Sequence, residues 1–167
     1  MSQVKVFTIG FTKKTAEEFF THLIRAGVKR VIDIRLNNVS QLAGFAKRDD
    51  LRYFLRTIGG IDYHHRPDLA PTQQILDAFK KSKGSWSVYE RDFLTLLSTR
   101  GVEREITPEL LNEACLLCSE EKPAQAIEGS LPNICVQNGA PWKFYIFELS
   151  ANMARSTLRS NCPLTSR

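Results

Sequence analysis

A thiol and a carboxylate stand two positions apart in the segment ACLLCSEE, where an apolar run gives way to charged residues. The thiol is Cys118 and the carboxylate is Glu120. A thiolate is a strong nucleophile and a carboxylate can accept or return a proton, so the pair suits nucleophilic or acid–base catalysis. We predict both as catalytic residues. The alternative for Cys118 is that of a small side chain in the core.

The residues that end two earlier apolar runs form a second candidate group. Gly10 and Thr12 follow the first run, and Asp33 and Arg35 close the second. Glycine lets a ligand approach the backbone, the start of a helix favours an anion, and arginine binds phosphate or carboxylate. We predict all four as substrate-binding residues. Two alternatives stay open: the first pair forms only a turn, or the second pair binds its neighbours and fixes a loop.

Histidines and paired cysteines are the remaining chemical candidates. His64 and His65 close the short run IDYHHR and could reach the same region, with an exposed position as the alternative. Cys115 and Cys118 have zinc-ligand spacing, but the two leucines between them indicate a buried strand with the thiols on opposite faces. We therefore predict no metal site, and the sequence indicates no particular cofactor.

The elements that must position these residues follow from hydrophobic periodicity. Apolar runs rich in β-branched residues alternate with segments whose apolar residues recur at helical spacing. This alternation predicts an α/β fold, with a Rossmann-like, mostly parallel sheet flanked by helices. The predicted strands lie near 4–9, 30–35, 61–64 and 114–118. Ligands of such sheets bind beyond the carboxyl ends of the strands, where the candidate residues fall.

Composition limits the class of protein. The 167 residues suffice for one domain, and the net charge of +5 comes from basic residues scattered among acidic ones. This charge permits a nucleic-acid partner without indicating one. The candidate residues at the strand ends, Arg35 above all, are the reason that we expect a small anionic or nucleotide ligand. We find neither an apolar run of membrane-spanning length nor a secretory signal, and we predict a cytoplasmic protein without membrane contact. The oligomeric state is not predicted.

Four segments, FTIGFTKKTAEEFF, VIDIR, GGIDYHHRPDLAP and LLCSEEKP, together resemble bacterial and archaeal proteins of the domain-of-unknown-function 488 family. The resemblance covers about residues 4–123 and implies an α/β fold, but no defined reaction. The last family signature is Leu-Cys-x-Glu, then Pro, then Cys-His-Arg. Cys118, Glu120 and Pro123 match it, whereas the expected Cys-His-Arg, which should begin at Ala126, is absent.

Loss of one nucleotide explains what stands there instead. The triplets TGC CAT CGA AGG encode Cys-His-Arg-Arg, and without their first base they read Ala-Ile-Glu-Gly, the sequence at 126–129. The restored frame permits an amphipathic helix, a buried strand and a stop at the Glu148 codon. We therefore predict one domain at 1–125 and an aberrant tail at 126–167, with the family's last helix and strand missing. A gene lesion, a sequencing error and true divergence remain alternatives.

Two functions stay open on these residues. The first is an enzyme that acts on an anionic or nucleotide-like substrate at the carboxyl ends of the strands, impaired in this chain because Cys-His-Arg is lost. The alternative is a non-catalytic module that binds a nucleotide or nucleic acid. For the family relatives, the resemblance also leaves open a metal site made by the signature cysteines and histidine.

Overall fold

A computed structural model describes residues 3–39, 43–81, 85–118 and 143–149. Its strands are β1 (Gln3–Gly10), β2 (Arg30–Asp33), β3 (Asp62–His65), β4 (Ala114–Cys118) and β5 (Lys143–Glu148). Its helices are α1 (Ala16–Arg25), α2 (Arg48–Gly59), α3 (Gln73–Lys81), α4 (Trp86–Arg100) and α5 (Pro108–Leu111). Three short 3₁₀ turns lie at 44–46, 67–69 and 102–104.

The helices begin and end where local sequence signals predict. At the start of α1, the Thr15 hydroxyl accepts from the Glu18 amide at 3.1 Å, and the Glu18 carboxylate accepts from the Thr15 amide at 2.8 Å. This capping box satisfies amides that have no partner inside the helix. The residue after α2 is Gly60, whose φ of +60° lies in the left-handed region that favours glycine.

The five strands form one parallel sheet in the order β3-β2-β4-β1-β5. The α/β class and the Rossmann-like architecture are confirmed, and all four predicted strands lie at the expected places. β4 lies at the centre and is buried along its whole length, as a strand covered on both faces must be. Because the strands are parallel, all their carboxyl ends lie on one edge of the sheet.

Helices cover both faces of the sheet. Phe19, Phe20 and Leu23 of α1 and Leu51 and Leu55 of α2 pack on one face with Cys115 and Leu117 of β4. Tyr89, Phe93 and Leu97 of α4 pack on the other face with Leu116 and Cys118. The two thiols therefore lie on opposite faces, as predicted. The alternation of side chains along a strand produces this separation.

The prediction that the last strand is missing is wrong. β5 pairs with β1 in register, from Gln3 opposite Lys143 to Thr8 opposite Glu148, and the Leu149 amide donates to the Thr8 carbonyl at 2.8 Å. The segment KFYIFE has high strand propensity. Without β5, the side of β1 that faces away from β4 would leave a row of backbone groups unpaired at the sheet edge. Such an edge recruits a suitable strand whatever the origin of its sequence.

The rest of the expected aberrant tail lies outside the described residues. This includes the position of the missing helix, so its absence stays a prediction. The reading-frame hypothesis is a statement about the gene and also stays a prediction. None of the helices within the described ranges is long and apolar enough to cross a membrane.

Candidate functional site

The carboxyl edge of the sheet brings several predicted residues together. Gly10 at the end of β1 lies opposite Cys118 at the end of β4, and on the next strand Asp33 lies opposite Leu117. The thiol of Cys118 is nearly covered, with 8% of the residue exposed. Glu120, its predicted catalytic partner, lies outside the described residues, so its role stays a prediction.

Asp33 and Arg35 form a buried, two-pronged ion pair. Arg35 Nε donates to Asp33 Oδ1 at 2.8 Å and Nη2 donates to Oδ2 at 2.7 Å, with both side chains fully buried. Arg35 Nη1 donates to the Ala46 carbonyl at 2.8 Å, and its guanidinium lies 5.2 Å from the centre of the Phe11 ring. In this structure the pair fixes the loop that follows β2. A role in binding substrate stays a prediction and requires this pair to open.

Tyr63 and His65 extend this buried pair to the edge strand β3. The Tyr63 hydroxyl donates to Asp33 Oδ2 at 2.6 Å, and His65 Nε2 lies 3.2 Å from the Arg35 carbonyl. Burial, followed by the hydrogen bond to Asp33, raises the pKa of Tyr63 well above its usual range, so the phenol stays a proton donor. This network holds β3 and its rings in place against the end of β2.

Thr12 lies just beyond the end of β1 and carries a hydroxyl that is buried without a hydrogen-bond partner in the described part of the chain. The Thr8 hydroxyl is in the same state. A buried hydroxyl without a partner is costly, so a ligand atom that accepted from Thr12 would remove this cost. The position suits the predicted substrate-binding role of Thr12 without testing it.

A groove between α2 and β3 is the main feature that the sequence analysis did not predict. At the carboxyl end of β3 it has a volume of about 480 Å³ and is lined by Arg48, Asp49, Arg52, Tyr63, His64, His65 and Arg66. It continues towards the amino end of β3 as a second cavity of about 650 Å³, lined by Arg52, Arg56, Gly60, Ile61, Asp62, Tyr63 and His64. We call the two cavities together the α2–β3 groove.

Three arginines form an evenly spaced row along one wall of the groove. Arg48, Arg52 and Arg56 are four residues apart on α2, which separates successive positions by about 6 Å along the helix axis. The row lies beside the buried stripe of Leu51 and Leu55, on the flank of α2 that faces β3. The spacing in RDDLRYFLR was a readable signal, but only the packing of α2 beside β3 shows what the row faces.

Two of the four arginines of the groove have no carboxylate partner among the described residues. Arg48 pairs with Asp49 at 3.0 Å, and Arg66 pairs with Asp68 at 2.6 Å and with Glu105 at 2.9 Å. Within the described ranges Arg52 and Arg56 form no ion pair, and both are exposed. Exposed guanidinium groups without carboxylate partners are suited to bind an external anion.

The two thiols of β4 are less accessible to a ligand than the arginines of the groove. Burial raises the pKa of Cys115 well above its usual range, and this residue is completely buried. Neither Cys115 nor Cys118 forms a disulfide. In the described part of the chain, no three histidine, cysteine, aspartate or glutamate side chains come close enough together to hold a metal ion.

Comparison with known proteins gives one match. The family model called Domain of unknown function DUF488 matches residues 15–127, more than half of the chain. No curated protein and no solved structure matches the chain.

Proposed function

The chain belongs to the DUF488 family, and for this member we propose that the α2–β3 groove binds a phosphate-bearing, nucleotide-like anion. The observation that carries the proposal is the pair of exposed arginines without carboxylate partners, Arg52 and Arg56, in the wall of a groove that also contains two histidines. A guanidinium matches the geometry of a phosphate and can donate two hydrogen bonds to it.

The position and size of the groove support this assignment. The part with a volume of about 480 Å³ lies at the carboxyl end of β3, where parallel sheets bind their ligands. Its volume falls in the range of small-molecule sites, about 300–1,000 Å³. The cytoplasmic location expected from the sequence belongs to the same proposal, because nucleotides are available there.

Binding of orthophosphate and of adenosine triphosphate, measured by calorimetry at low salt, tests the proposal. Arg52→Gln removes an exposed arginine of the groove and is expected to weaken binding about tenfold, the lower end of the effect of a charge-assisted hydrogen bond. Arg91→Gln is the control, because Arg91 is exposed on α4, over the other face of the sheet. Equal effects of the two substitutions, or no binding by the unaltered protein, would refute the proposal.

A thiol-dependent enzyme is the second candidate, and the placement of Cys118 favours it. Cys118 lies at the same carboxyl edge of the sheet as the first cavity of the groove and opposite Gly10. Only β2 separates β3 from β4, so the ends of these two strands are roughly 10 Å apart at the usual strand spacing. The Cys118 side chain packs on the α4 face and α2 covers the other face, so a ligand held by its phosphate at Arg52 reaches the thiol only by passing around the carboxyl end of β2. On this proposal Glu120 serves as the proton acceptor, and the lost Cys-His-Arg leaves the chain impaired.

A further inference from the structure

We propose that the occupant of the α2–β3 groove is a single-stranded nucleic acid, whose successive phosphates contact the arginine row of α2 while its bases lie against the rings of β3. This inference rests on the proposed anion binding and extends it from one phosphate to a short run of phosphates.

The length of the groove is the first reason. Its two cavities share Arg52, Tyr63 and His64, so they adjoin along β3 from Asp62 to Arg66. Four strand steps correspond to about 13 Å, and the eight helix steps from Arg48 to Arg56 correspond to about 12 Å. The two walls thus have equal length. A mononucleotide held at one end would leave the other end without a ligand.

The arrangement of charge is the second reason. A pocket for one phosphate gathers its cations around one point, whereas Arg48, Arg52 and Arg56 lie in a line at equal steps. The outer two positions are about 12 Å apart along the helix axis, so the row extends well beyond the size of one phosphate group. Cations at regular intervals suit an anion whose charges also lie at regular intervals. A nucleic-acid strand is such an anion, because it has one phosphate per nucleotide.

The chemistry of the opposite wall separates a nucleic acid from other linear anions. Tyr63 and His64 lie at the junction of the two cavities, and His65 lies beside them. Bases stack on tyrosine and histidine rings, which is how proteins bind single strands without reading their sequence. The hydrogen bond from Tyr63 to Asp33 fixes the tyrosine ring in advance, so binding need not order it. Because side chains alternate along a strand, Tyr63 and His65 share one side of β3. Arginines on α2 opposite these two rings match a strand whose backbone and bases lie on opposite sides.

The acidic residues of the groove limit the site to a few phosphates. Asp49 contacts Arg48 at 3.0 Å, and Asp62 lies at the amino end of β3. Each of the three arginines of the row can contact one phosphate if Arg48 exchanges Asp49 for the ligand, so we expect about three phosphate contacts. For a single strand, each contact contributes about −0.7 to the slope of log K against log salt, so a slope of about −2 is expected.

Fluorescence anisotropy with labelled ten-nucleotide oligothymidine and oligouridine tests the inference, with thymidine 5′-monophosphate as the single-phosphate probe. We expect both oligomers to bind at least about tenfold more tightly than the mononucleotide, with a slope of about −2. Similar affinities of the two oligomers would mean that the site accepts DNA and RNA alike. A clear preference would assign the site to the preferred one.

Arg56→Gln distinguishes this inference from the proposed function. It removes the cation at the far end of the row, so we expect about tenfold weaker oligomer binding and a slope shallower by about 0.7, with a clearly smaller loss of mononucleotide binding, because a single phosphate can still bind at Arg52. Arg25→Gln is the matched control, because Arg25 and Arg56 are both exposed arginines in the last turn of their helices. Thermal unfolding of each variant verifies the fold.

Three outcomes would overturn the inference while the proposed anion binding stands. They are equal affinity for mononucleotide and oligomer, tighter binding of a duplex hairpin than of the single strand, and equally tight binding of oligoglutamate or polyphosphate, which lack bases. Failure of every anion to bind would refute both.

Discussion

Tyr63 donates its phenolic hydrogen to Asp33 at 2.6 Å, from an edge strand to the buried end of its neighbour. The same carboxylate holds Arg35 through both of its oxygens. One buried carboxylate therefore organises the loop after β2 and one wall of the α2–β3 groove. Much of the behaviour of the site should depend on it.

Loss of this carboxylate is expected to destabilise the fold strongly. Asp33→Asn leaves the buried Arg35 guanidinium without its counter-charge, and breaking a buried pair in this way typically costs about 3–5 kcal/mol. Asp92→Asn, which breaks the exposed pair between Arg91 and Asp92, should cost no more than about 1 kcal/mol. Urea unfolding of the two variants measures the difference. Similar free energies of unfolding would mean that the buried pair does not organise the fold.

The raised pKa of Tyr63 predicts an alkaline loss of stability. The unfolded phenol has the ordinary tyrosine pKa of about 10. The folded phenol stays neutral to higher pH because it is buried and donates to Asp33. The stabilisation is therefore complete below about pH 10 and is lost as pH rises from there through the folded-state value.

Unfolding measurements between pH 8 and pH 11 test this dependence. Tyr63→Phe should lower the free energy of unfolding by about 1–2 kcal/mol at pH 8, and its difference from the unaltered chain should shrink towards pH 11. Tyr53→Phe alters an exposed tyrosine of α2 and should have no effect at pH 8. A pH-independent difference between Tyr63→Phe and the unaltered chain would contradict the assignment.

The elements of the fold were predictable because their signals are local. The box of Thr15 and Glu18 fixes where α1 begins, and the run ACLLC requires a strand buried on both faces. The site was only half predictable, because its position on the sheet edge follows from topology but its contacts do not. Asp33 and Arg35 were expected near a ligand, whereas the structure pairs them with each other. Asp33 and Arg35 are two residues apart, and this spacing puts side chains on the same side of an extended chain. The spacing was the sequence signal that could have predicted their pairing.

The groove and the fifth strand were not predicted from the sequence, for different reasons. The arginine spacing in α2 was visible, but which element the row faces depends on β3 being an edge strand next to β2. The apolar residues of KFYIFE were visible too, but a frameshifted tail is not expected to supply a specific strand. Strand pairing depends on the side chains present and on an open edge, and the history of the gene does not enter.

The fifth strand is expected to stabilise the domain through specific packing. Ile146 is 7% exposed and packs in the cluster beneath α4, so Ile146→Ala should lower the free energy of unfolding by about 2–4 kcal/mol. Glu148→Ala at the exposed end of the same strand should change it by less than about 0.5 kcal/mol. Urea unfolding compares the two. Equal small effects would mean that β5 covers the edge of the sheet without packing against the core.

Alkylation is expected to separate the two thiols of β4. Cys115 is fully buried with a raised pKa, so iodoacetamide at neutral pH should leave it unmodified while Cys118 reacts. If Cys118 serves the second candidate function, orthophosphate should slow its modification, and Arg52→Gln should abolish that protection. Peptide mapping by mass spectrometry resolves each cysteine. If iodoacetamide modifies neither Cys118 nor Cys115, Cys118 is only a core residue, and the thiol-dependent enzyme is ruled out as a function.

The reading-frame hypothesis makes a prediction about the gene and about the protein that a repaired gene encodes. The family match ends at residue 127, two residues past Gln125, where the supposed deletion lies. Insertion of one base after the Gln125 codon should open a frame that begins Cys-His-Arg and stops at the Glu148 codon. Its helix and strand would replace the tail, and the strand would fall near β5.

The repaired protein should unfold at a higher urea concentration, because a helix fitted to the sheet buries more apolar surface. Its Cys118 should also be alkylated faster, because an imidazole and a guanidinium beside a thiol favour the thiolate. Insertion of three bases at the same place keeps the present frame and is the control, with no gain expected in either measurement. A stop codon in the repaired frame before the final strand would refute the hypothesis and leave the tail as a genuine divergence. In that case the pairing of β5 with β1 would be an inherited feature of this chain's fold.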